Sequence, residues 1–407
     1  MTGAGAGGDA TTAHEPPPRA RHRSQRATIG SSFDPRSNSL NLLRLVLALM
    51  VIFSHSLTIA HFGGEDIAGK TTLGTMAVYG FFGLSGYLIT RSALHSSLFH
   101  YLIARALRIF PAFWTCLVVV AFVFGPIVWR RANPALARRC SWSCYLREPG
   151  GPFGYVGRNL ALQIHQSTIA NTLPLGFFRP VWNGSLWTLS FEFACYLIIG
   201  LLAVLGALRH RWTVVVLFLA VWTAAIMITA IPAWNHEFSP FSNWFIMQML
   251  TFVPIVLGGA LLWLYRDAIP DSGLLALASL ALFGLGFVLP VGSAIAAYTL
   301  TSTAFTAVFL TYPLVWLGIH LPFPQLAARN DYSYGVYIYA YPVQQLLVVF
   351  GAASFGYLAY SLLSVVFVAP LAVASWWLIE RPSLALKRRI TGSSAQRVAQ
   401  PAPSAGQ

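Results

Sequence analysis

Two ionisable side chains lie inside the first long apolar segment of this 407-residue chain. Arg44 and His55 both fall within residues 40–60 and are separated by ten apolar or small residues. An ionisable residue inside a membrane span costs free energy, so it usually faces the protein interior and marks a functional site. Eleven positions make about three turns of α-helix, so both side chains project from nearly the same face, about 16 Å apart. The spacing indicates a path from one membrane surface into the bilayer.

A carboxylate is the natural partner for a buried imidazole, because it fixes the tautomer of the ring and raises its basicity. Glu192 is the acidic residue that lies well inside a predicted span, and His55 is the clearly buried histidine. We therefore expect Glu192 to lie against His55. The alternative is that Arg44, His55 and Glu192 form hydrogen bonds that serve helix packing alone.

A basic segment follows the second apolar run. Arg105 and Arg108 are three positions apart and share a face if the segment is helical, just before Pro111, and Arg91 begins the same segment. A guanidinium group presents a planar fork of donors that matches phosphate. The pattern favours an anion site at the membrane surface. The alternative is the ordinary excess of basic residues beside membrane spans.

The composition is that of a membrane protein. Hydrophobic residues make up 56% and charged residues 9%, whereas a soluble domain carries about a quarter charged residues. The mean hydropathy is +0.63. We predict an all-α, polytopic helical bundle of about ten transmembrane helices. The predicted spans cover residues 40–60, 72–90, 111–129, 186–207, 212–230, 244–265, 272–289, 294–316, 333–350 and 357–379.

The distribution of basic residues orients this bundle with both termini in the cytoplasm. In that orientation the cytoplasmic segments hold 17 of the 26 Lys and Arg residues, and one long outer loop, residues 130–185, holds seven arginines. Residues 1–39 and 383–407 are predicted to be disordered cytoplasmic tails that flank a membrane domain at 40–382. Since the basic residues are scattered among membrane segments, nucleic acid is not an expected partner, whereas membrane lipids are.

Few other residues suggest a cofactor or a metal. Cys116 and Cys195 fall in predicted spans and are interpreted as packing residues. Cys140 and Cys144 lie in the outer loop, where a local disulfide is one alternative. The neighbourhood offers too few ligands for a metal, and the chain has no phosphate-binding loop or dinucleotide fingerprint. We expect neither a metal nor a permanently bound cofactor. The small residues within 81–90 favour close helix packing.

Taken together, these segments resemble the membrane-bound acyltransferase-3 family, the bacterial O-acyltransferases that modify cell-surface glycans. The resemblance covers about residues 38–382 and rests on six motifs in order. They are Arg44-x10-His55, the F-F-x-x-S-G block at 81–90, Arg105-x-x-Arg108, the N-G-S-L-W-T-L-x-x-E block at 183–197, the D-Y-S-Y-G block at 331–345, and Glu380-Arg381-Pro382. The chain departs from the family pattern at Asn41 and Tyr79, where many members carry an acidic residue.

The resemblance implies a multi-pass protein of the bacterial inner membrane that transfers an acyl group, most often acetyl. It implies acyl-CoA as the donor, approached from the cytoplasm, and a hydroxyl of a cell-surface glycan or lipid-linked saccharide as the acceptor. Under this interpretation His55 is a general base or a transient acyl carrier, and Glu192 orients it. Arg44 holds donor oxygens or the oxyanion, and Arg105, Arg108 and Arg91 bind the CoA phosphates.

Two other classes of protein fit the polar residues in the membrane. A secondary transporter or flippase of a small molecule or lipid-linked sugar also has polar residues at mid-membrane and interrupted helices. Such proteins often show repeated halves, and this sequence has no internal repeat. The other class is a structural membrane subunit whose buried polar residues only set helix packing. Labelling of a glycan that depends on acyl-CoA would distinguish an enzyme from both.

Overall fold

The structure is a computed structural model. It describes most of the chain, with gaps at both ends and in several connections. The described residues are 2–3, 27–67, 71–173, 180–230, 244–288, 305–323 and 330–386.

Fifteen α-helices account for most of the described residues. The first seven are α1 (Ile29–Ser32), α2 (Leu40–Ile59), α3 (Leu73–Leu94), α4 (Leu98–Val119), α5 (Gly125–Ala132), α6 (Pro134–Arg147) and α7 (Pro152–Asn159). The remaining eight are α8 (Thr188–Val204), α9 (Arg211–Ala230), α10 (Trp244–Leu264), α11 (Gly273–Val288), α12 (Thr306–Phe309), α13 (Thr311–His320), α14 (Ser333–Val349) and α15 (Tyr357–Ser375). Short 3₁₀ helices lie at Ala207–Arg209 and Ala352–Phe355, and an antiparallel pair of short strands joins β1 (Asp66–Ile67) to β2 (Thr71–Thr72).

Six helical segments are long and apolar enough to cross a membrane. They are Leu40–Ile59, Leu73–Leu94, Leu98–Ala132, Arg211–Ile228, Trp244–Leu264 and Tyr357–Leu386. Three shorter apolar segments are Thr188–Val204, Gly273–Phe287 and Thr306–His320. The predicted helical membrane bundle is confirmed, and each of the ten predicted spans overlaps a helix. The number of crossings and the cytoplasmic placement of both termini stay predictions.

The third membrane helix begins earlier than its apolar run. Ser97 caps α4, because its side chain accepts a hydrogen bond from the His100 backbone N–H, so the helix already includes Arg105 and Arg108. These two arginines were predicted to lie just before the third span, and the structure places them within the helix that forms it, where they share a face as expected for a helical segment. Pro111 is accommodated inside α4, as membrane helices tolerate.

Both predicted tails are partly folded where the structure describes them. Ile29 is fully buried, and its backbone N–H donates to the carbonyl oxygen of Ile269 at 3.0 Å. The segment around Ile29 therefore packs on the bundle, because its buried apolar side chain anchors it on the connection after α10. At the other end the last helical segment continues to Leu386. The remaining tail residues, 4–26 and 387–407, lie outside the described residues.

π-Helical turns interrupt two of the long apolar helices of the described residues. Val120–Phe124 joins α4 to α5, and Trp376–Glu380 follows α15. The helix from Leu98 to Ala132 contains 35 residues, which at 1.5 Å per residue is about 52 Å. A hydrocarbon core is about 30 Å thick, so this helix projects beyond the membrane.

The predicted outer loop contains helices that fold back on the bundle. Helix α6 returns along α5, and the hydroxyl of Tyr145 donates to the Ala121 carbonyl oxygen at 2.5 Å. Cys140 and Cys144 form a disulfide within α6, as one of the alternatives predicted. Asn159 and Trp182 are buried, so the chain on both sides of the undescribed residues 174–179 packs against the bundle.

Glycines let α3 and α10 approach closely. A Cβ added at Gly86 would lie 2.2 Å from the carbonyl oxygen of Val256, and one added at Gly259 would lie 2.3 Å from that of Gly83. Such contacts involve backbone, which cannot move aside cheaply. The interpretation of the small residues in 81–90 as a packing surface is therefore confirmed.

Substituting Gly86 by Ala should destabilise the protein. The added methyl group overlaps the Val256 backbone, and overpacking of this kind costs about 2 kcal/mol. We expect a thermal transition several degrees below that of the wild type, measured by loss of the monodisperse peak of a detergent-solubilised protein after heating.

The matched control is Gly284→Ala, because a Cβ there meets no described atom within 4 Å. Alanine has the higher helix propensity, so this variant should match or exceed the wild type. Equal transitions for the two alanine variants would contradict the proposed close packing.

Candidate active site

A buried cluster of four charged side chains lies at the start of α14. The carboxylate of Asp331 accepts hydrogen bonds from Arg44 and, at 2.5 Å, from Arg108. Arg108 also donates to Glu380 at 3.0 Å. The side chains of Asp331 and Glu380 are 9% and 1% exposed. Two arginines thus neutralise two carboxylates, and we call these four residues the ion cluster.

Serine hydroxyls satisfy the remaining carboxylate oxygens of the ion cluster. Ser333 donates its backbone N–H and its hydroxyl to one oxygen of Asp331, at 3.2 and 2.5 Å. The hydroxyl of Ser375 donates to Glu380 at 3.0 Å. Burial on its own raises the pKa of Asp331, but Arg44, Arg108 and these hydrogen bonds outweigh it and hold that pKa below its ordinary value. Asp331 is therefore held as a carboxylate, and two guanidinium groups face the two carboxyl groups of the cluster.

His55 lies farther along α2 and pairs with a carboxylate that the sequence analysis did not single out. Its Nδ1 lies 3.4 Å from Oε1 of Glu65, and the two side chains are 25% and 12% exposed. A carboxylate only accepts hydrogen bonds, so the proton of this contact lies on Nδ1, and in the neutral ring Nε2 is then the acceptor. An imidazole held in this tautomer is equipped to remove a proton from a hydroxyl group.

A tight turn after α2 brings Glu65 back over His55. His61 and Gly63 adopt positive φ angles of 59° and 154°, which reverse the chain direction. Glu65 also accepts hydrogen bonds from the hydroxyls of Ser54, at 2.8 Å, and Thr58. Burial on its own raises the pKa of Glu65, but the contacts with His55, Thr58 and Ser54 outweigh it and lower that pKa. The carboxylate therefore stays ionised at neutral pH.

The predicted pairing of His55 with Glu192 is wrong. Glu192 instead accepts hydrogen bonds from the hydroxyl of Tyr196 at 2.5 Å and from that of Ser85 at 3.4 Å. It lines a cavity together with Arg44, so it lies nearer the ion cluster than was predicted. The depth of a residue in a helix does not specify the direction in which its side chain points.

The three arginines predicted to bind phosphate lie in different surroundings. Carboxylates occupy both sides of the Arg108 guanidinium. This arrangement is at odds with the prediction that Arg108 binds a CoA phosphate. Arg105 lies over the ring of Tyr196 at 5.7 Å, and its buried Nε has no hydrogen-bond partner among the described residues. Arg91, in the last turn of α3, lies 5.9 Å from the ring of Trp263.

Two neighbouring cavities lie in the regions of Arg44 and His55. One, of about 80 Å³, contains His55 in its wall, and the other, of about 30 Å³, contains Arg44. Val78, Thr188 and Tyr337 line both. These three side chains therefore separate the two cavities, which lie next to each other between Arg44 and His55.

The cavity beside His55 offers hydroxyl groups next to a candidate base. Its hydroxyl-bearing lining residues are Thr72, Thr75, Tyr79, Ser185, Thr188 and Tyr337. Val51, Val78, Trp187 and Phe252 supply apolar surface to the same cavity, so the cavity suits a group that has both polar and apolar parts. Within the residues that the structure describes, no three His, Cys, Asp or Glu side chains are placed to hold a metal ion.

Three acidic residues of the site, Asp331, Glu380 and Glu65, were given no role from the sequence, although each carries a signal there. Asp331 and Glu380 begin two of the quoted motifs, yet no role was assigned to them. Glu65 follows Gly63 and Gly64, and a glycine pair just past a helix end signals a chain reversal. A search for acidic residues just beyond that turn would have found it.

Comparisons with known proteins identify the family of the chain and two relatives. The family model described as an acyltransferase domain matches residues 37–381. The chain is 30% identical over 375 residues to an O-acetyl transferase of Shigella phage Sf6, covering 88% of this chain and 98% of that protein. It is 26% identical over 370 residues to Nodulation protein 10 of Rhizobium leguminosarum bv. viciae, covering 86% and 94%. No solved structure matches the chain significantly. The chain therefore belongs to the acyltransferase-3 family, as a multi-pass membrane protein.

Proposed function

We propose that this protein is an O-acyltransferase of the bacterial inner membrane that uses cytoplasmic acyl-CoA, most often acetyl-CoA, as donor. The acceptor is a hydroxyl group of a cell-surface glycan or a lipid-linked saccharide. Membership of the family and the similarity to an O-acetyl transferase support the reaction type. A transporter or a purely structural subunit is set aside, since no comparison favours either.

The observation that carries this proposal is the His55–Glu65 pair at a hydroxyl-lined cavity. The pair has the geometry of a base and the group that orients it, with 3.4 Å between Nδ1 and Oε1. The adjoining cavity at Arg44 leads toward the opposite end of α2. Donor and acceptor can therefore approach His55 from opposite ends of one path.

In the proposed mechanism, His55 acts as a general base on the acceptor. Its Nε2 removes the proton of the acceptor hydroxyl while the oxygen attacks the thioester carbonyl carbon. The C–S bond then breaks, the ester remains on the acceptor, and the proton passes from the imidazolium to the departing CoA thiolate. Glu65 stabilises the imidazolium between these steps and costs no reorganisation, because it is already in place.

The donor side of the proposal rests on the arginines that the ion cluster does not neutralise. Arg105 and Arg91 supply positive charge for the CoA phosphates. Arg44 and Arg108 act indirectly, since the ion cluster holds α2 and α4 in register with α14. Glu192 lies beside this path and, with Tyr196, orients the donor.

The disulfide supports the orientation of the protein in the membrane. Disulfides persist in oxidising compartments such as the periplasm. The Cys140–Cys144 pair therefore favours an extracytoplasmic position for α6, in agreement with the positive-inside distribution of Lys and Arg.

Substituting His55 by Gln should abolish acyl transfer, because no other group in the His55 cavity has the basicity of imidazole. We expect product formation to fall by about 10³-fold, measured as radiolabel transferred from acetate to surface glycans of cells. The variant should elute from size exclusion as the wild type does. Normal acylation by a correctly folded variant would rule out His55 as the general base.

Substituting Glu65 by Gln should reduce transfer without unfolding the protein. The amide keeps the shape of the side chain but removes the charge that stabilises the imidazolium, so we expect a loss of about 30-fold, within the range of general acid–base effects. The matched control is Asp66→Asn, which neutralises an exposed carboxylate on the next residue and should leave transfer unchanged. Equal rates for the two variants would refute the pairing.

Arg105 and Arg108 should respond differently to substitution by Met. Arg105→Met should weaken binding of CoA to the detergent-solubilised protein by about tenfold, at unchanged thermal stability. Arg108→Met should instead destabilise the protein by about 3 kcal/mol, because it leaves Glu380 without a cation. Adding Glu380→Gln to Arg108→Met should recover part of that stability.

The result that would contradict this division is the reverse pattern. A stable Arg108→Met protein with weakened CoA binding would return Arg108 to the phosphate site. Unchanged CoA affinity in Arg105→Met would remove Arg105 from it.

A further inference from the structure

The hairpin of α5 and α6 is a strongly basic element that the mechanism above does not use. We call residues 125–147 the basic arm. It contains Arg130, Arg131, Arg138, Arg139 and Arg147, and neither Lys nor an acidic residue. The arm is rigid, since Trp129 and Tyr145 are almost fully buried in it and a disulfide closes one turn of α6.

These arginines have no neutralising partners in the described part of the chain. All five are exposed, and none lies within 4 Å of a carboxylate there. Glu148, just past the arm, is the one acidic residue between positions 130 and 185. This contrasts with Arg44 and Arg108, whose charges are both balanced. The arm therefore presents unpaired positive charge that attracts anions.

The basic arm lies at the end of the bundle where the His55 cavity is. Helix α14 begins at the ion cluster, and its Gln344 then donates to the Ile52 carbonyl oxygen at 2.9 Å, near the level of His55. The helix ends beside Phe350, and the guanidinium of Arg131 lies 5.2 Å from that ring. The arm is thus beyond His55 and away from the ion cluster, on the side from which the acceptor approaches.

We propose that the basic arm binds the acceptor, and that the acceptor is therefore an anionic saccharide that carries carboxylate or phosphate groups. This inference rests on the proposed function and specifies its substrate class. Guanidinium groups on a rigid hairpin bind carboxylate and phosphate through charge-assisted hydrogen bonds. The arm begins at the end of the apolar run of its helix, and its five arginines are exposed, so they are available to a saccharide in the aqueous layer.

The first test measures binding without a donor, so it does not depend on catalysis. The full-length protein in nanodiscs of uncharged phosphatidylcholine is titrated with fluorescent oligogalacturonate and with neutral maltohexaose. We expect the oligogalacturonate to bind with an affinity that falls as salt rises, and maltohexaose to bind much more weakly. Arg138→Gln/Arg139→Gln should weaken oligogalacturonate binding by about tenfold.

The matched control is Arg36→Gln/Arg209→Gln, which removes two exposed arginines outside the arm and should leave that affinity unchanged. Equal affinity for the two oligosaccharides, or an unchanged affinity in the arm variant, would overturn the proposal. So would an effect of the arm substitutions confined to association with vesicles that contain phosphatidylglycerol, because the arm would then bind lipid headgroups.

The second test identifies the acceptor class in cells. Glycans labelled from radioactive acetate are separated on an anion exchanger, and His55→Gln cells provide the background. We expect the label that depends on His55 to be in the retained, anionic fraction. His55-dependent label in the unretained fraction would overturn the anionic acceptor and leave the acyltransferase proposal standing. Absence of any His55-dependent label would count against the proposed function itself.

Discussion

The cost of burying charge in an apolar bundle is the constraint on which the rest of this structure depends. Arg44 and Arg108 are retained inside the protein because Asp331 and Glu380 neutralise them. Removing one member leaves a buried charge without a partner, which costs several kcal/mol. Through these pairs the ion cluster fixes α2 against α4, α14 and the end of α15. The axial position of His55 and the wall of its cavity follow from that register.

The same constraint separates two kinds of arginine in the protein. Those with carboxylate partners hold helices together and keep little charge for a ligand. Among the arginines without a carboxylate partner in the described residues, Arg105 and those of the basic arm lie toward opposite ends of the proposed reaction path. An enzyme that joins an anionic donor from one side to an anionic acceptor from the other needs unpaired positive charge at both ends of the path. Between the two ends the charges of its side chains should balance. The distribution of paired and unpaired arginines fits that requirement.

Local patterns predicted much of the fold but only part of the site. The helical bundle and the shared face of Arg44 and His55 depend on hydropathy and helical period, which are local properties. Arg108 was misassigned because its partners lie 223 and 272 positions away, and no local pattern encodes such contacts. Glu65 was missed because its approach to His55 depends on a turn, and Glu192 was mispaired because depth in a helix leaves side-chain direction open.

The π-helical turns at Val120–Phe124 and Trp376–Glu380 also determine the direction in which the helix beyond each turn presents its side chains. Each inserts one residue into a helix and rotates everything beyond it by about 100°. Val120–Phe124 directly precedes the basic arm in the chain, and Trp376–Glu380 ends at Glu380, a member of the ion cluster. Loss of a single codon in the first turn would aim the arm at another sector of the surface while both flanking helices stayed intact. A one-residue insertion or deletion there would therefore redirect the arm while the position of His55 on α2 stayed the same.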